Sequence, residues 1–299
     1  MSTRDVGCCL TIAGSDSCAG AGLQADLKTF MAHNIHGLSV VTVVTSQNSL
    51  GVQRVFGMPR IAVEGQLKSI IQDFTKDIDG IKIGVIFNEE IITAIASKLN
   101  EFRVARDDVP IILDPVIISS SGAVLLQPEA TAQMVQNLTP IVTLVTPNIP
   151  EAVYLLKYFS VEQTINNIDQ MKSAAKELQK HLKCKHVMIK GGHLSSSNAS
   201  SPDVLYDGVD DKHHVFESEK ISKNFTKTVD GLSISNWHGT GCTMSSAITC
   251  YMAKGVSVSE AVKLSKQYVR DAMENSYHIG GSKTTAQLNH NAQNKKFNL

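Results

Sequence analysis

The sequence predicts an α/β protein with a mostly parallel central sheet and helices on both of its faces. Short apolar runs rich in Val, Ile and Leu alternate with longer amphipathic stretches, as in successive strand–helix–strand units. Some of the apolar runs are continuous, the mark of strands covered on both sides. Polar or glycine-rich clusters follow the ends of these runs, at the edge where open α/β sheets hold ligands.

Taken in order, Cys8 to Ala13 reads as a buried strand closed by Gly14. Gly14 to Gly22 is a glycine-rich loop, and Leu23 to His33 a helix with Leu23, Leu27 and Phe30 on one face. The loop fits neither G-x-x-x-x-G-K-[ST] nor G-x-G-x-x-G, so it reads as backbone that closely approaches a small ligand. Gly37 to Thr45 is a β-branched run expected to be covered on both faces in a parallel sheet, and it ends in Ser46-Gln47-Asn48-Ser49. Helices are expected over Pro59 to Phe74, Asn88 to Leu99, Pro128 to Leu138 with Pro128 first, Glu151 to Leu156, Asn167 to Leu182 and Ser259 to Ser276. Strands are expected over Gly80 to Gly84, Pro110 to Asp114, Val142 to Thr146 and His186 to Lys190, with an antiparallel addition from Val204 to Tyr206 and His213 to Phe216. Leu194 to Asp203 is Ser/Asn-rich and reads as a surface loop, and from Gly280 the polar tail is expected to fray. With no internal repeat, residues 1–299 are expected to form one domain.

Composition narrows the function. With 42% hydrophobic and only 19% charged residues, the chain can bury a large core. Basic and acidic residues both number 28, so nothing favours nucleic acid or an acidic membrane as partner, and a small-molecule substrate fits better. Six cysteines without a C-x-x-C pair point to reduced thiols in a cytoplasmic protein, not to a disulfide frame or a zinc site. No run approaches the ~20 apolar residues of a membrane span, and Met1 to Gly7 lacks the apolar stretch of a signal peptide. Asn198-Ala199-Ser200 matches a glycosylation acceptor that would be silent in the cytoplasm. The chain is compatible with a homo-oligomer and does not specify one.

The chemistry centres on Trp237-His238-Gly239-Thr240-Gly241-Cys242-Thr243, followed by the helical pattern Met244 to Ala253. Glycines on either side of Thr240 allow a sharp turn with exposed N–H groups, and a helix N-terminus adds roughly half a positive charge. Such a cup suits an anion, above all the spread charge of a phosphoryl group in transfer, although Gly-Thr-Gly is also a common tight turn. Cys242 at its mouth could activate a hydroxyl, since a thiol at a helix N-terminus has a lowered pKa; a buried structural cysteine is the plainer reading. Asp114 and Glu151 lie at strand ends and could hold Mg2+ through water, or serve as a surface charge and a helix-start carboxylate. Lys190, at another strand end, could meet phosphate oxygens as a point charge, Gln47 could bond a heterocycle edge, and Asp26 lies one turn inside its helix. Each has an ordinary alternative as a surface lysine, a turn residue and a solvated first-turn carboxylate. His193 and His238 read as polar turn residues.

These motifs together resemble a known family. Leu10-Thr11-Ile12-Ala13-Gly14-Ser15-Asp16 with Gly20-Ala21-Gly22-Leu23-Gln24-Ala25-Asp26-Leu27-Lys28-Thr29 is similar to the opening of the hydroxymethylpyrimidine/phosphomethylpyrimidine kinases of thiamine biosynthesis, in the ribokinase-like superfamily. The likeness continues through Lys82-Ile83-Gly84, Leu113-Asp114-Pro115-Val116, Thr146 to Ala152, Lys190 to His193 and His238 to Thr243. It implies a ribokinase-like three-layer α/β/α sandwich and ATP-dependent, Mg2+-assisted phosphorylation of 4-amino-5-hydroxymethyl-2-methylpyrimidine and of its monophosphate. By position it places Ala13, Gly14, Asp26, Gln47 and Val85 around the pyrimidine, Asn148 and Glu151 in an N-x-x-E element that organises Mg2+ and phosphates with Asp114 nearby, and Lys190 facing the nucleotide. Gly239, Thr240 and Gly241 would form the anion hole and Cys242 the base.

The chain departs from the family pattern at four points. Ala19 replaces a glycine so that a Cβ intrudes, Val85 replaces a methionine, the flap at Ser119 to Gly122 lacks a lysine, and Trp237 precedes the His-Gly-Thr-Gly run. A pyridoxal kinase and a non-catalytic pyrimidine-binding paralogue are the competing readings. Pyridoxal kinases with a cysteine-based mechanism carry a second cysteine in the flap, and the flap of this chain has none.

Overall fold

The computed structural model describes residues 6–117, 125–192, 194, 200–221, 228–229, 232–234 and 236–293. The flap at Ser119 to Gly122, His193, and Asn198 with Ala199 lie outside the described residues. In chain order the elements are β1 (Gly7–Asp16), α1 (Gly22–Ala32), β2 (Ile35–Asn48), β3 (Gly51–Gly57), α2 (Arg60–Phe74), β4 (Gly80–Ile83), α3 (Glu89–Ala105), β5 (Ile111–Leu113) and α4 (Ala130–Gln133). They continue with β6 (Leu144–Val145), α5 (Ile149–Tyr158), α6 (Ile168–Leu182), β7 (His186–Lys190), β8 (Asp203–Asp207) and β9 (Lys212–Phe216). Then come β10 (Thr228–Val229), β11 (Leu232–Ser233), β12 (Asn236–His238), α7 (Thr240–Ala253), α8 (Val258–Glu274) and β13 (Thr285–Gln287).

Nine strands form one sheet in the order β3-β2-β1-β4-β5-β6-β7-β8-β9. From β2 to β7 neighbours run parallel, while β3, β8 and β9 are antiparallel additions. The period of two along each strand sorts side chains between two helical layers. Ile111, Leu113, Val145, Val187, Ile189 and Val204 join the core beneath α2 to α6, whereas Ile112, Leu144, Met188 and Leu205 meet Met244 and Ile248 of α7 and Ala261 and Val262 of α8. Phe30 and Leu27 of α1 pack with Ile35 and Cys250 on that second side. The result is the three-layer α/β/α sandwich. Because β1, β2 and β4 to β7 are parallel, their carboxyl ends share one edge. The chain turns left from β1 to β2 and then crosses to β4, so the order reverses between β1 and β4, the place where such sheets open a crevice.

Local chemistry sets the element ends. Asn88 and Asn167 cap α3 and α6 by accepting the N–H of Ile91 and Gln170. Lys183 ends α6 in a left-handed conformation. The helix expected from Pro128 starts at Ala130 instead, because Gln127 and Pro128 carbonyls accept the N–H groups of Ala130 and Thr131 in a preceding turn. It then widens into a π-helical turn over Met134–Leu138, where the Thr139 hydroxyl, bonded to Val135 and Leu182 carbonyls, gathers the chain.

Two expectations are overturned. β2 pairs parallel with β1 as expected, but β3 pairs antiparallel along its other edge and its faces are not fully covered, with Val44 40% exposed. A β-branched run looks alike in a buried strand and in an outer hairpin, and the 14 residues of β2 carry it past the sheet edge. The tail from Gly280 does not fray through the last described residues. β13 pairs in parallel with β12, Ala286 and Leu288 are buried, and the Tyr268 hydroxyl donates to the carbonyl of His290. Residues 294–299 lie outside the described set.

The anchored tail gives a first prediction. Leu288 is 1% exposed, so Leu288→Ala should destabilise the protein by about 2–5 kcal/mol, read as a lower urea midpoint with an unchanged slope. A frayed tail would leave the midpoint where it is.

Candidate active site

The cup at the start of α7 is built against the loop that follows β1. Gly239, with φ +84°, lies so close to that loop that a Cβ would sit 1.8 Å from the Gly20 carbonyl oxygen, which only glycine tolerates. Asp16 organises the loop: its carboxylate accepts the N–H groups of Cys18 (2.8 Å), Gly20 (3.1 Å) and Ala21 (2.9 Å), and its Oδ2 lies 2.9 Å from Nε2 of His238. Burial works to raise its pKa, but His238 and the amides of Ala21 and Cys18 outweigh this and hold the carboxyl below its usual value. His238 is thus a bridge between loop and cup, not a plain turn residue. No side chain caps α7, and among the described residues the N–H groups of Thr240, Gly241 and Cys242 meet no backbone acceptor. That leaves a row of amide donors at a helix N-terminus. A second helix start converges here, for the Gly22 amide of α1 faces the Cys242 sulfur and favours its ionised form.

Beside the cup lie the charged strand ends. Lys190 Nζ donates to Asp114 Oδ1 at 2.6 Å, and a Cβ on Gly241 would stand 3.4 Å from Lys190 Nζ and 3.5 Å from Asp114 Oδ2. Burial works to lower the Lys190 pKa, but Asp114 and then Glu151 outweigh it. Asn148 and Glu151 form a reciprocal capping box at α5: Glu151 N–H donates to Asn148 Oδ1 at 2.9 Å and Asn148 N–H to Glu151 Oε2 at 2.8 Å. Lys190 N–H donates to the Pro147 carbonyl, which fixes this box against β7. Glu151 is buried, and burial raises its pKa to about 7, with Lys190 pulling down and Asp114 pushing up. Asp114, Glu151, Lys190 and Asn148 are therefore brought together with Gly241, as expected.

The expected pyrimidine wall is assembled in part. Ala13 is buried, Gly14 sits where a Cβ would lie 2.5 Å from Val43, and half-buried Val85 offers its carbonyl to the Thr42 hydroxyl. The Gln47 carboxamide nitrogen lies 2.9 Å from His238 Nε2, so Gln47 stands in the hairpin strand facing the cup. Asp26 is a correction. It has no exposed surface, and its oxygens already accept from Thr11 Oγ1 (2.6 Å), Lys82 Nζ (2.8 Å) and Ser246 Oγ (2.7 Å), so it lies under the site instead of lining it. The thiol is another. Burial pushes Cys242 up to about 11, and the pull of Lys82 and of the Gly22 amide does not offset this, so the resting group is a thiol despite the helix N-terminus.

Ala19, expected to bring a Cβ toward the substrate, is half-buried in the loop after β1. It takes a left-handed φ of +59°, a strain for a non-glycine residue, and its carbonyl accepts from Lys28 Nζ at 2.7 Å. Trp237 turns its Nε1 to Ser276 Oγ at 3.1 Å. Lys82, Asp16 and Phe87 were not singled out from the residues. Lys82 carried a signal, a charge between Ile81 and Ile83 in an apolar strand. Phe87 carried none: its φ of +66° and its ring packed against Gly57 and the core beneath α2 to α6 follow only from the fold.

The sequence from residue 16 to 287 matches the family described as phosphomethylpyrimidine kinase. The chain belongs to that family. Among members of the family, it is 37% identical over 271 residues to the hydroxymethylpyrimidine/phosphomethylpyrimidine kinase of Bacillus subtilis, covering 91% of this chain and 90% of that protein. The solved phosphomethylpyrimidine kinase of Clostridium difficile superposes with a TM-score of 0.71 at 36% identity, covering 89% of this chain and 99% of that one. An ADP complex of Bacillus subtilis pyridoxal kinase gives a TM-score of 0.79 at 31% identity, over 97% of this chain and 99% of that one. The fold, the ribokinase-like kinase class and the phosphotransferase chemistry expected of the family are thereby established.

A second prediction concerns Glu151. A carboxyl raised from 4.5 to about 7 binds its proton more tightly in the fold, so its contribution to stability falls as pH rises from 4.5 to 7 and is level above that. Glu151→Gln keeps the capping geometry and removes this loss. The variant should match the parent in Tm near pH 4.5 and exceed it at pH 8; equal Tm values at both pH values would show that Glu151 is not destabilised by burial.

Proposed function

We infer that this kinase phosphorylates 4-amino-5-hydroxymethyl-2-methylpyrimidine and then its monophosphate, for thiamine biosynthesis. The observation that carries the reading is the row of amides at Thr240 to Cys242, which meet no backbone acceptor among the described residues, set beside Lys190 and Asp114. The pyrimidine occupies the crevice between β1 and β4, bounded by Ala13, Gly14 and Val85, with Gln47 of the hairpin reading a polar ring edge. Its hydroxymethyl group meets the terminal phosphate of ATP above the cup. Gly239, Thr240 and Gly241 hold the equatorial oxygens through fixed amide donors that need no reorganisation as charge develops. Lys190 brings a compact positive charge to the phosphates, held in place by Asp114.

Two buried carboxylates beside the phosphate path suit a magnesium ion that keeps its waters, and both are already engaged by protein donors, which fits holding through water and not direct ligation. Asp114 and Glu151 would hold Mg2+ in this way, and the ion would screen phosphate charge. Asn148 fixes the Glu151 carboxylate through the capping box. Cys242 takes the proton of the attacking hydroxyl. As a group ionising near 11 it is a strong base present in small amount, so the rate should follow its ionised fraction.

The site draws on residues from Ala13 to Cys242 and rests on β13, which supports reading the chain as one catalytic domain. Among the described residues, which include all six cysteines, no disulfide forms, which supports a cytoplasmic setting. Among the described residues no helix is long and apolar enough to cross a membrane.

The test is a substrate panel with Mg-ATP. Release of ADP on the hydroxymethylpyrimidine, followed by a second phosphorylation of the monophosphate, is the expected outcome. Turnover of pyridoxal in place of the pyrimidine would move the protein to the pyridoxal kinases, and binding without turnover would make it a non-catalytic paralogue. Cys242→Ala should lower kcat by about 100-fold or more with little change in pyrimidine binding. In the parent, log(kcat/KM) should still climb between pH 7 and 9; a plateau from pH 7 would remove the thiolate from the role of base.

A further inference from the structure

Beneath the cup lies a buried charge that the reading above does not use. Lys82 and Thr11 face each other across the parallel pair β1 and β4, and both turn away from the Ile81 and Ile83 side of the sheet toward α1 and α7. There they meet Asp26. The Lys82 and Asp26 side chains have no exposed surface, with Nζ 2.8 Å from Oδ2. Ser246 donates to the other oxygen of Asp26, and Ser246 stands one helical turn after Cys242 on the same face of α7. A Cβ on Gly84 would come within 2.7 Å of Nζ, so the ammonium abuts bare backbone next to the crevice. Among the described residues Asp26 is the one hydrogen-bond partner of Nζ, which leaves two of its three N–H groups unspent in a fully buried place.

A buried pair of this kind contributes little to stability on its own, since both charges lose their water, and apolar residues would fill the space as well. A lysine here serves something that needs positive charge. We propose that Lys82 is a positioning residue of the site: anchored from below by Asp26, its ammonium holds negative charge on the Cys242 sulfur when that sulfur accepts the proton of the attacking hydroxyl. The proton moves from the substrate hydroxyl to sulfur as the oxygen bonds to phosphorus, and Lys82 keeps its own proton throughout. This rests on Cys242 as the base. The charged groups that face the sulfur are Lys82 of β4, Asp26 of α1 and Asp114 after β5, with the Gly22 amide as a neutral donor; Lys82 favours the thiolate and the two carboxylates oppose it. Asp26 therefore has two opposed effects, fixing the lysine while weakening its field.

The opposition supplies a test that turnover alone would not give. The rate at which iodoacetamide alkylates Cys242 at pH 8, followed by mass spectrometry of the peptide that carries it, reports the thiolate fraction. Asp26→Asn should speed alkylation about tenfold, Lys82→Met should slow it about tenfold, and the double variant, which leaves no lone buried charge and so preserves the fold, should be slower than the parent because the lysine outweighs the aspartate. A structural role alone would loosen the cup and speed alkylation in all three. Changes in the same direction, or a double variant at the parental rate, overturn the proposal. Should the alkylation shifts appear in a protein that phosphorylates no pyrimidine, the role of Lys82 stands and the substrate reading falls. Normal phosphorylation with unshifted alkylation would leave the substrate reading standing and remove Lys82 from its role.

Discussion

One buried carboxylate sets how the elements around the site meet. Asp26 receives hydrogen bonds from Thr11 of β1, Lys82 of β4 and Ser246 of α7 while belonging to α1, so a single group ties two strands to two helices. These four elements frame the switch point of the sheet. A carboxylate in the interior must be satisfied from every side, and each donor here can reach it in only one arrangement of the elements. The start of α7 is thereby fixed against the end of β1, and the amides at Thr240 to Cys242 stand over the crevice. Asp16 repeats the device one layer outward, gathering three amides and His238 to hold the glycine loop against Gly239.

Much of the fold was legible because apolar runs and their periods report directly on burial. The alternation of Ile111, Ile112 and Leu113, or of Val187, Met188 and Ile189, is read straight into the two helical layers. What was misread has a physical reason. Val40 to Val44 looks like an interior strand, yet whether a strand lies at the centre or near the rim depends on what pairs with its other side, and β3, with its mixed Val52-Gln53-Arg54-Val55, has too little apolar contrast to announce itself. The tail is polar by composition, but Ala286 and Leu288 suffice to seat it, and two buried side chains do not change a composition.

The site divides along the same line. Gly239, Asn148, Glu151, Asp114 and Lys190 could be placed together because each follows a strand end, and ends of parallel strands meet. The ionisation state of Cys242 could not be placed, because a helix N-terminus and a burial penalty act in opposite directions and only the packed environment decides between them. Asp26 was picked out for the right reason, a carboxylate in the first helix, and assigned to the wrong surface. Its depth is set by β1 and β4, far from it in sequence.

The parallel pairing of β12 with β13 has a consequence for how the protein comes into being. Gln287 reaches Cys18, and a Cβ on Gly20 would stand 2.3 Å from the Gln287 carboxamide oxygen, so the glycine loop leaned on by the cup is itself shouldered by residues some 269 positions later. A ribosome makes the loop early and its support last, while the amino-terminal portion begins to fold as it emerges. The catalytic cradle is then among the final features to set during translation, and a polypeptide released short of Gln287 would carry most of its sheet and no finished place for a phosphate.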